Sequence, residues 1–172
     1  MKNFIKGLIP YIFIVIFVVT FRTLIATPVV VYGPSMEPTL KNGNLLILYK
    51  LPQKFSRFDV VIVKTKINGN KERLVKRVIG LPGDSIEYKN STLYINGKKV
   101  KDKFAKNTNK FSLEDLYDMK RIPNGYYFVM GDNRRVSLDS RDARVGLIKE
   151  NEIVGKAIFR FWPFNKMGTI KS

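Results

Sequence analysis

The hydrophobic and polar positions along the chain separate an apolar N-terminal segment from a long region of short strands. Residues 7–21 carry no charge and are mostly apolar, and lysines precede them at positions 2 and 6. Past residue 27, short β-branched or apolar runs are bounded by Gly, Pro and Asn, which is typical of strands and turns. The pattern predicts a mainly β fold of antiparallel strands that follows one N-terminal helix.

The strand region divides further into a core and a small insertion. A second helix is predicted over residues 112–119, where Ser112 followed by Asp115 resembles a capping arrangement. We predict a β core from residues 28–84 and 122–172 and a small inserted subdomain from residues 85–121. The predicted strands cover residues 29–32, 45–48, 60–63, 74–79, 85–88, 92–95, 126–130 and 153–161.

The apolar segment is predicted to be a retained membrane anchor over residues 7–27, with residues 1–6 in the cytoplasm. Extended to Ala26, it covers roughly 30 Å as a helix, the thickness of a hydrocarbon core, provided that Arg22 reaches the headgroups. A cleavable signal peptide and a buried core helix are the alternatives; a segment apolar on every face suits lipid better than a core. Lysines at positions 2 and 6 orient the chain as a single-pass protein of the cell membrane with its long basic domain outside.

Composition limits the possible chemistry. The 172 residues include no cysteine and no histidine, which excludes disulfides, thiolate nucleophiles, Cys- or His-based zinc sites and a Ser-His-Asp triad. If the chain is a hydrolase, its general base is Lys, Asp, Glu or Tyr. The net charge of +17 implies attraction to nucleic acid, anionic lipid or an acidic cell wall, or simply a surface covered with lysine. No metal or other cofactor is predicted.

Two segments carry candidate catalytic residues. Ser35 lies between two prolines, at positions 34 and 38, with a glycine at position 33. These neighbours restrict the backbone and favour a fixed hydroxyl. The alternative is an incidental serine in a proline-rich turn. Lys76 lies within a run of Val, Ile and Leu, where desolvation would lower its pKa and let its neutral amine take a proton. The alternative is a strand in which Lys76 faces solvent and Arg77 faces a partner.

A third segment, residues 131–141, contains turn formers, two serines and alternating charges directly after a predicted strand. Asp132, Asp139 and Arg141 are candidates for ion pairs that fix a loop, with Ser137 orienting another polar group. An ordinary polar loop and a calcium-binding turn are the alternatives, and the arginines argue against calcium, which requires an excess of oxygen ligands.

Together these segments resemble the bacterial type I signal peptidases, the Ser–Lys dyad signal peptidases of the Gram-positive type. The resemblance rests on four segments in the order of that family, Ser35–Leu40, Arg57–Val61, Lys76–Asp84 and Gly131–Arg141, with the apolar segment immediately before them. It implies a signal-peptidase-like fold and a membrane-bound serine endopeptidase that removes signal peptides from secreted preproteins after small residues.

The resemblance also implies residue roles. Ser35 is expected to be the nucleophile, its backbone N–H the oxyanion donor and Lys76 the general base. Ser137 is expected to hydrogen-bond the lysine amine, and Asp139 with Arg141 to brace the site. Arg77 and Asp132 are further supporting candidates. Glycine at position 33, where some relatives carry a hydroxyl, is similar to the Gram-positive type.

The substrate is expected to bind as an added strand between residues 29–33 and 73–75, with its scissile carbonyl at Ser35. Its partners are then secretory preproteins and the lipid bilayer, with no nucleic acid, and the protein is expected to be a monomer. Two other functions stay open, a self-cleaving Ser–Lys protein and a non-enzymatic basic surface protein. The predicted substrate-binding residues are Val29, Val31, Gly33, Pro34, Met36, Leu74 and Val75.

Overall fold

The structure is a computed structural model that describes residues 2–20, 22, 25–51 and 54–172. These residues form two α-helices, α1 (Lys2–Thr20) and α2 (Leu113–Tyr117), and twelve strands. The strands are β1 (Ala26–Val30), β2 (Leu45–Tyr49), β3 (Val60–Ile67), β4 (Asn70–Gly80), β5 (Ile86–Lys89), β6 (Thr92–Ile95), β7 (Lys98–Val100), β8 (Phe111–Ser112), β9 (Tyr126–Met130), β10 (Ile148–Lys149), β11 (Ile153–Trp162) and β12 (Gly168–Thr169).

The strands form two sheets whose pairs are all antiparallel. The larger sheet has eight strands in the order β1-β2-β11-β3-β4-β9-β10, with β12 paired to β11. The smaller sheet has four strands in the order β7-β6-β5-β8. The prediction of a mainly β fold of antiparallel strands is confirmed.

The β3–β4 hairpin is longer than the sequence pattern predicts. Its two strands pair continuously from Val60 opposite Arg77 to Ile67 opposite Asn70. Its outer half is polar, so apolar runs reveal only the half that reaches the core. Strand β1 also differs from its prediction, because it begins at Ala26, which lies within the predicted anchor, and ends at Val30.

Helix α1 occupies Lys2–Thr20, whereas the anchor was predicted over residues 7–27. Residues 21, 23 and 24 of that prediction lie outside the described residues, as does residue 1 of the predicted cytoplasmic segment. Every large apolar side chain from Tyr11 to Val19 is more than half exposed. By length and hydropathy, none of the helices formed by the described residues qualifies as a membrane-crossing helix.

The smaller sheet packs on the same core as the larger one. One hydrophobic cluster contains Ile79 and Phe128 of the larger sheet together with Tyr88 and Leu93 of the smaller sheet. Helix α2 begins after Ser112, whose side chain and that of Asp115 form the predicted capping box. The smaller sheet therefore rests on the ends of β4 and β9, next to the segments that contain the candidate catalytic residues.

Candidate active site

Ser35 lies in a tight turn that two buried side chains hold in place. The chain leaves β1 at Val30 and turns at Gly33, whose φ of +79° lies in the left-handed region. Met36 and Leu40 are almost completely buried in the core, and the Leu40 N–H donates to the Met36 carbonyl. The turn is thus fixed beneath Ser35, and the serine side chain stays partly exposed.

The loop that follows β9 fixes the backbone of this turn from the other side. Asn133 donates from its backbone N–H to the Ser35 carbonyl at 3.0 Å and from its side-chain amide to the Pro34 carbonyl at 3.2 Å. Gly131 approaches so closely that an added Cβ would overlap the Ser35 carbonyl and the Ser137 hydroxyl. Neither Asn133 nor Gly131 was predicted to be a site residue, although both lie in the segment that the sequence singles out.

The structure brings Lys76 directly to Ser35. Lys76 is on β4, between β3 and β9, where both faces of the sheet are covered, and only 2% of the residue is exposed. Its Nζ lies 2.8 Å from the Ser35 Oγ. This distance allows a proton to pass between the two groups.

Burial is the main influence on the Lys76 amine. The pKa of Lys76 is lowered from 10.5 to about 8, with desolvation by burial as the largest cause and the nearby Arg141 acting in the same direction. The carboxylates of Asp139 and Asp132 act in the opposite direction and raise that pKa. An appreciable fraction of the amine is therefore neutral near pH 8, and only the neutral form can accept a proton.

A buried ion pair lies next to Lys76 along β4. Arg77 donates from Nε and Nη2 to the two carboxylate oxygens of Asp132 at 2.7 and 2.8 Å, and its Nη1 donates to the Phe58 carbonyl at 2.6 Å. Thr39 donates its hydroxyl to the same carboxylate at 2.5 Å. Asp132 thereby joins β4 to the turn that carries Ser35. Thr39 was not predicted as a site residue.

Asp139 and Arg141 form a second brace. The Arg141 guanidinium donates to both Asp139 oxygens at 2.8 and 2.9 Å, and Asp139 also accepts the Gly131 N–H at 2.9 Å. Ser137 differs from its expected role, because its buried hydroxyl has no hydrogen-bond partner among the described residues. The Lys76 amine meets Ser35 instead, and Ser137 lies against Gly131.

Arg134 links this loop to the smaller sheet, and the sequence reasoning assigned it no role. It is 4% exposed and donates to the Gly131 carbonyl, the Tyr88 hydroxyl and the Thr108 hydroxyl. It also forms an ion pair with Asp102 at 2.7 Å. The inserted residues are therefore bonded to the loop that fixes Ser35.

A cleft of about 340 Å³ leads up to Ser35 and Lys76. Val29 of β1 and Leu74 and Val75 of β4 line it, as predicted from their positions next to the dyad, and Ile62 of β3 lines it as well. The remaining lining residues are Thr27, Pro28, Val30, Tyr32 and Arg73.

The other predicted substrate contacts fall elsewhere. Val31 is only 1% exposed and packs in the core, so the prediction that it lines the cleft is wrong. Met36, which was predicted to be a substrate-binding residue, is also 1% exposed and packs in the same cluster. The physical reason is that Val31 packs in one core cluster with Met36, Leu40 and Leu46, although its N–H still donates to the Asn44 carbonyl. Gly33 and Pro34 lie in the turn beside the cleft and are not among its lining residues.

Acidic side chains and a second cavity were compared with the cleft at Ser35 as other possible sites in the described part of the chain. There, no group of three or more Asp or Glu side chains is arranged to hold a metal ion. A larger cavity of about 420 Å³ lies beyond the Arg77–Asp132 pair, against Phe104 and Ile170, and neither Ser35 nor Lys76 lines it. Ser35 and Lys76 both line the smaller cleft.

The known proteins that are similar to this chain are signal peptidases. The family model described as signal peptidase, peptidase S26, matches residues 2–162. Signal peptidase I of Bacillus caldolyticus is 44% identical over 170 residues, which is 91% of each chain. Signal peptidase IB of Staphylococcus aureus is 41% identical over 171 residues, covering 90% of this chain and 86% of the relative.

A solved structure supports the fold. The crystal structure of a signal peptidase I from Enterococcus faecalis superimposes with a TM-score of 0.53 at 38% identity, covering 60% of this chain and 97% of that one. These matches favour the enzymatic interpretation over a non-enzymatic basic surface protein. The chain belongs to the signal peptidase family, peptidase S26, and is a serine peptidase of the signal peptidase I type.

Proposed function

We propose that this enzyme cleaves signal peptides from preproteins with a Ser–Lys dyad, in which Ser35 is the nucleophile and Lys76 the general base. The observation that carries the proposal is the 2.8 Å separation of the Lys76 Nζ and the Ser35 Oγ at a buried amine whose pKa is lowered to about 8. A neutral amine beside a hydroxyl is the pairing that activates serine when histidine is absent.

The proposed reaction has two stages. Lys76 takes the Ser35 proton as Oγ attacks the scissile carbonyl, and the resulting ammonium protonates the leaving amine. Lys76 then activates a water molecule that hydrolyses the acyl-enzyme. The Ser35 N–H, which donates to no other described residue, is the proposed oxyanion donor, and glycine at position 33 supplies no side-chain donor there.

The surrounding ion pairs have positioning roles in this proposal. Asp132 connects Arg77 to Thr39 and so sets the distance between β4 and the Ser35 turn. Asp139, which is paired with Arg141, accepts the Gly131 N–H, and Ser137 packs against Gly131. Ser137 is proposed to accept a hydrogen bond from Lys76 once the amine is protonated and turns away from Ser35.

The substrate is proposed to enter the cleft as an extended strand with small residues before the cut. The side chains of Val29, Leu74 and Val75 leave a shallow apolar cleft, which favours small residues over large ones. The partners are then secretory preproteins, and the enzyme acts as a monomer.

The proposed location is the cell membrane, with the N-terminus in the cytoplasm and the catalytic domain outside. Exposed apolar side chains along α1 support attachment to lipid, because such a surface is costly in water. Tethering enzyme and preprotein to one bilayer raises their effective concentration.

Mapping the cut in a model preprotein tests the proposed function. Mass spectrometry of the products should give one cut, after a small residue that ends the signal peptide. A matched preprotein with Leu in place of that small residue should be cleaved at least about tenfold more slowly, because a methylene that does not fit a pocket changes binding by about 1–3 kcal/mol. Equal cleavage of both preproteins, or several cuts in the mature part, contradicts the proposal.

The pH dependence of cleavage tests the role of Lys76 separately. We expect kcat/KM to rise about tenfold per pH unit below pH 8 and to level off above it, because only the neutral amine is a base and its pKa is lowered to about 8. Measurement from pH 6 to pH 10 covers this range. A profile that is flat across pH 8, or that falls as pH rises through 8, would count against Lys76 as the base.

A further inference from the structure

The outer half of the β3–β4 hairpin carries four cations on one face. Lys64 lies directly opposite Arg73, and Lys66 lies directly opposite Lys71. Because side chains alternate between the two faces of a strand, these two pairs share a face, while Thr65 and Glu72 point to the other. All four cationic residues are exposed.

This arrangement is unfavourable in the isolated protein. Like charges directly opposite each other on paired strands destabilise the hairpin. Within the described part of the chain, no salt bridge involves Lys64, Lys66, Lys71 or Arg73. The groove of about 880 Å³ beside the hairpin is lined by two further cations, Lys149 and Arg144, and by two carboxylates, Glu72 and Glu152. The hairpin surface is therefore suited to an anionic partner.

The cationic face continues the floor of the substrate cleft. Ile62 and Val75 form one opposed pair within the cleft, and Arg73 with Lys64 is the next pair on the same face. Arg73 itself lines the cleft at the end away from Ser35 and Lys76. The four cations thus begin where the cleft ends.

The outer half of the hairpin extends toward the end of the sheet from which β1 leads back to α1. The sheet register aligns Ala26 of β1 with Val61 of β3, through Tyr49 and Lys156. Strands β1 and β3 run in opposite directions, so residues after Val61 extend the way that β1 leads back to α1. Measured along β3 from Val61, which is level with Ala26, Lys64 and Lys66 lie about 10 and 17 Å further in that direction, at roughly 3.3 Å per residue.

From these observations we propose that the cationic face of the β3–β4 hairpin binds anionic lipid headgroups and holds the outer end of the cleft against the bilayer surface. The inference rests on the proposed function, in which the apolar segment of the preprotein lies in the bilayer and its cut site enters the cleft. That apolar segment offers no charge to the four cations, whereas headgroup phosphates do. Each lysine near an anionic surface contributes about fivefold in affinity.

Reconstitution of the full chain tests the proposal. We would compare vesicles of phosphatidylcholine alone with vesicles containing three parts in ten of phosphatidylglycerol, using a preprotein with its apolar segment. Phosphatidylglycerol is expected to raise kcat/KM at least about fivefold, and the triple variant Lys64→Gln, Lys66→Gln, Lys71→Gln is expected to lose that gain. Arg73 is kept because it lines the cleft.

Matched controls separate lipid binding from other effects. The variant Lys98→Gln, Lys99→Gln, Lys106→Gln removes the same charge from exposed positions of the inserted residues and should keep the full gain. With a short peptide substrate in neutral detergent, the triple hairpin variant should have the same kcat/KM as wild type. A lower kcat/KM in that assay would show that the hairpin binds the peptide, and would overturn the proposal. If inorganic phosphate at constant ionic strength raises kcat/KM of the enzyme in phosphatidylcholine vesicles, the hairpin binds free phosphate ions. That result also overturns the proposal.

A readout that needs no catalysis distinguishes this proposal from the proposed function. The chain has no cysteine, so Asn70→Cys places a single spin label at the exposed end of the hairpin. Nickel chelated at the lipid headgroups should broaden the electron paramagnetic resonance spectrum of that label in vesicles containing phosphatidylglycerol. The broadening should be smaller in the triple variant. Wild-type enzyme that cleaves the preprotein with no lipid dependence and no broadening overturns the headgroup site alone. Broadening without any cleavage retains it and refutes the proposed function.

Discussion

Replacing Ser35 or Lys76 with alanine is expected to lower kcat for preprotein cleavage by three orders of magnitude or more, because each change removes one member of a pair that acts as a unit. The double variant Ser35→Ala, Lys76→Ala should be no slower than either single variant. Lys76→Arg should be equally inactive, since a guanidinium stays protonated and cannot serve as a base. Single-turnover rates with a labelled preprotein measure all four variants.

The control for these variants is Lys89→Ala, which removes an exposed lysine paired only with the partly exposed Glu87. It should retain wild-type kcat. Near-ultraviolet circular dichroism establishes that each inactive variant is folded. Wild-type rates in folded Ser35→Ala or Lys76→Ala would refute the dyad.

Removing the carboxylate of Asp132 is expected to destabilise the fold by about 3–5 kcal/mol, because it leaves the Arg77 charge buried without its ion-pair partner. Arg77 is 1% exposed and Asp132 4% exposed, so solvent cannot compensate for the lost pair. Asp132→Ala also breaks the bond from Thr39 and frees the turn that carries Ser35. Activity should therefore fall even at temperatures where the variant remains folded. Urea denaturation and activity assays measure the two effects.

Asp142→Ala is the matched control, because Asp142 is also bound through two oxygens to an arginine, Arg144, but at the surface. Exposed ion pairs contribute little to stability. The denaturation midpoint of this variant should stay close to that of wild type. If both carboxylate variants lose similar stability, burial of the Arg77–Asp132 pair is not what stabilises the site.

The sequence predicts the strands that reach the core better than the strands that leave it. The prediction for β9 has the bounds that the structure shows, because Tyr126–Met130 is apolar and follows an Asn-Gly turn. The outer half of the β3–β4 hairpin was missed, since its exposed side chains are mostly polar. Long antiparallel pairing stabilises these residues without an apolar pattern, and pairing partners are set by the fold.

For the site, the sequence identifies the proposed catalytic residues but not those that hold them in place. Ser35 and Lys76 stand out by their neighbours, a proline-rich turn and an apolar strand. Asn133 and Thr39 act through hydrogen bonds to residues far away along the chain, and single-chain patterns do not reveal such pairs. The isolated arginine and aspartate of the Arg77–Asp132 pair were noted as candidates, but their direct contact depends on β4 lying next to β9.

The cleft shows a different reason for a failed prediction. Val29 and Val31 were both expected to bind the substrate, because the predicted strand that contains them lies next to Ser35. Val29 lines the cleft, whereas Val31 is buried in a core cluster with Met36, Leu40 and Leu46. A strand pattern does not reveal which inward side chains are covered by a turn that comes later in the chain, as Val31 is by Met36 and Leu40.

The contacts of Arg134 limit how far this enzyme can be shortened. Its guanidinium holds the Gly131 carbonyl on one side and Asp102 and Tyr88 on the other. A trimmed version that lacked residues 85–121 would remove Tyr88, Thr108 and Asp102 from Arg134 and would uncover the hydrophobic cluster around Ile79 and Phe128. Grafting loops onto the outside of the smaller sheet is therefore a safer route to altered versions of this peptidase than deleting that sheet.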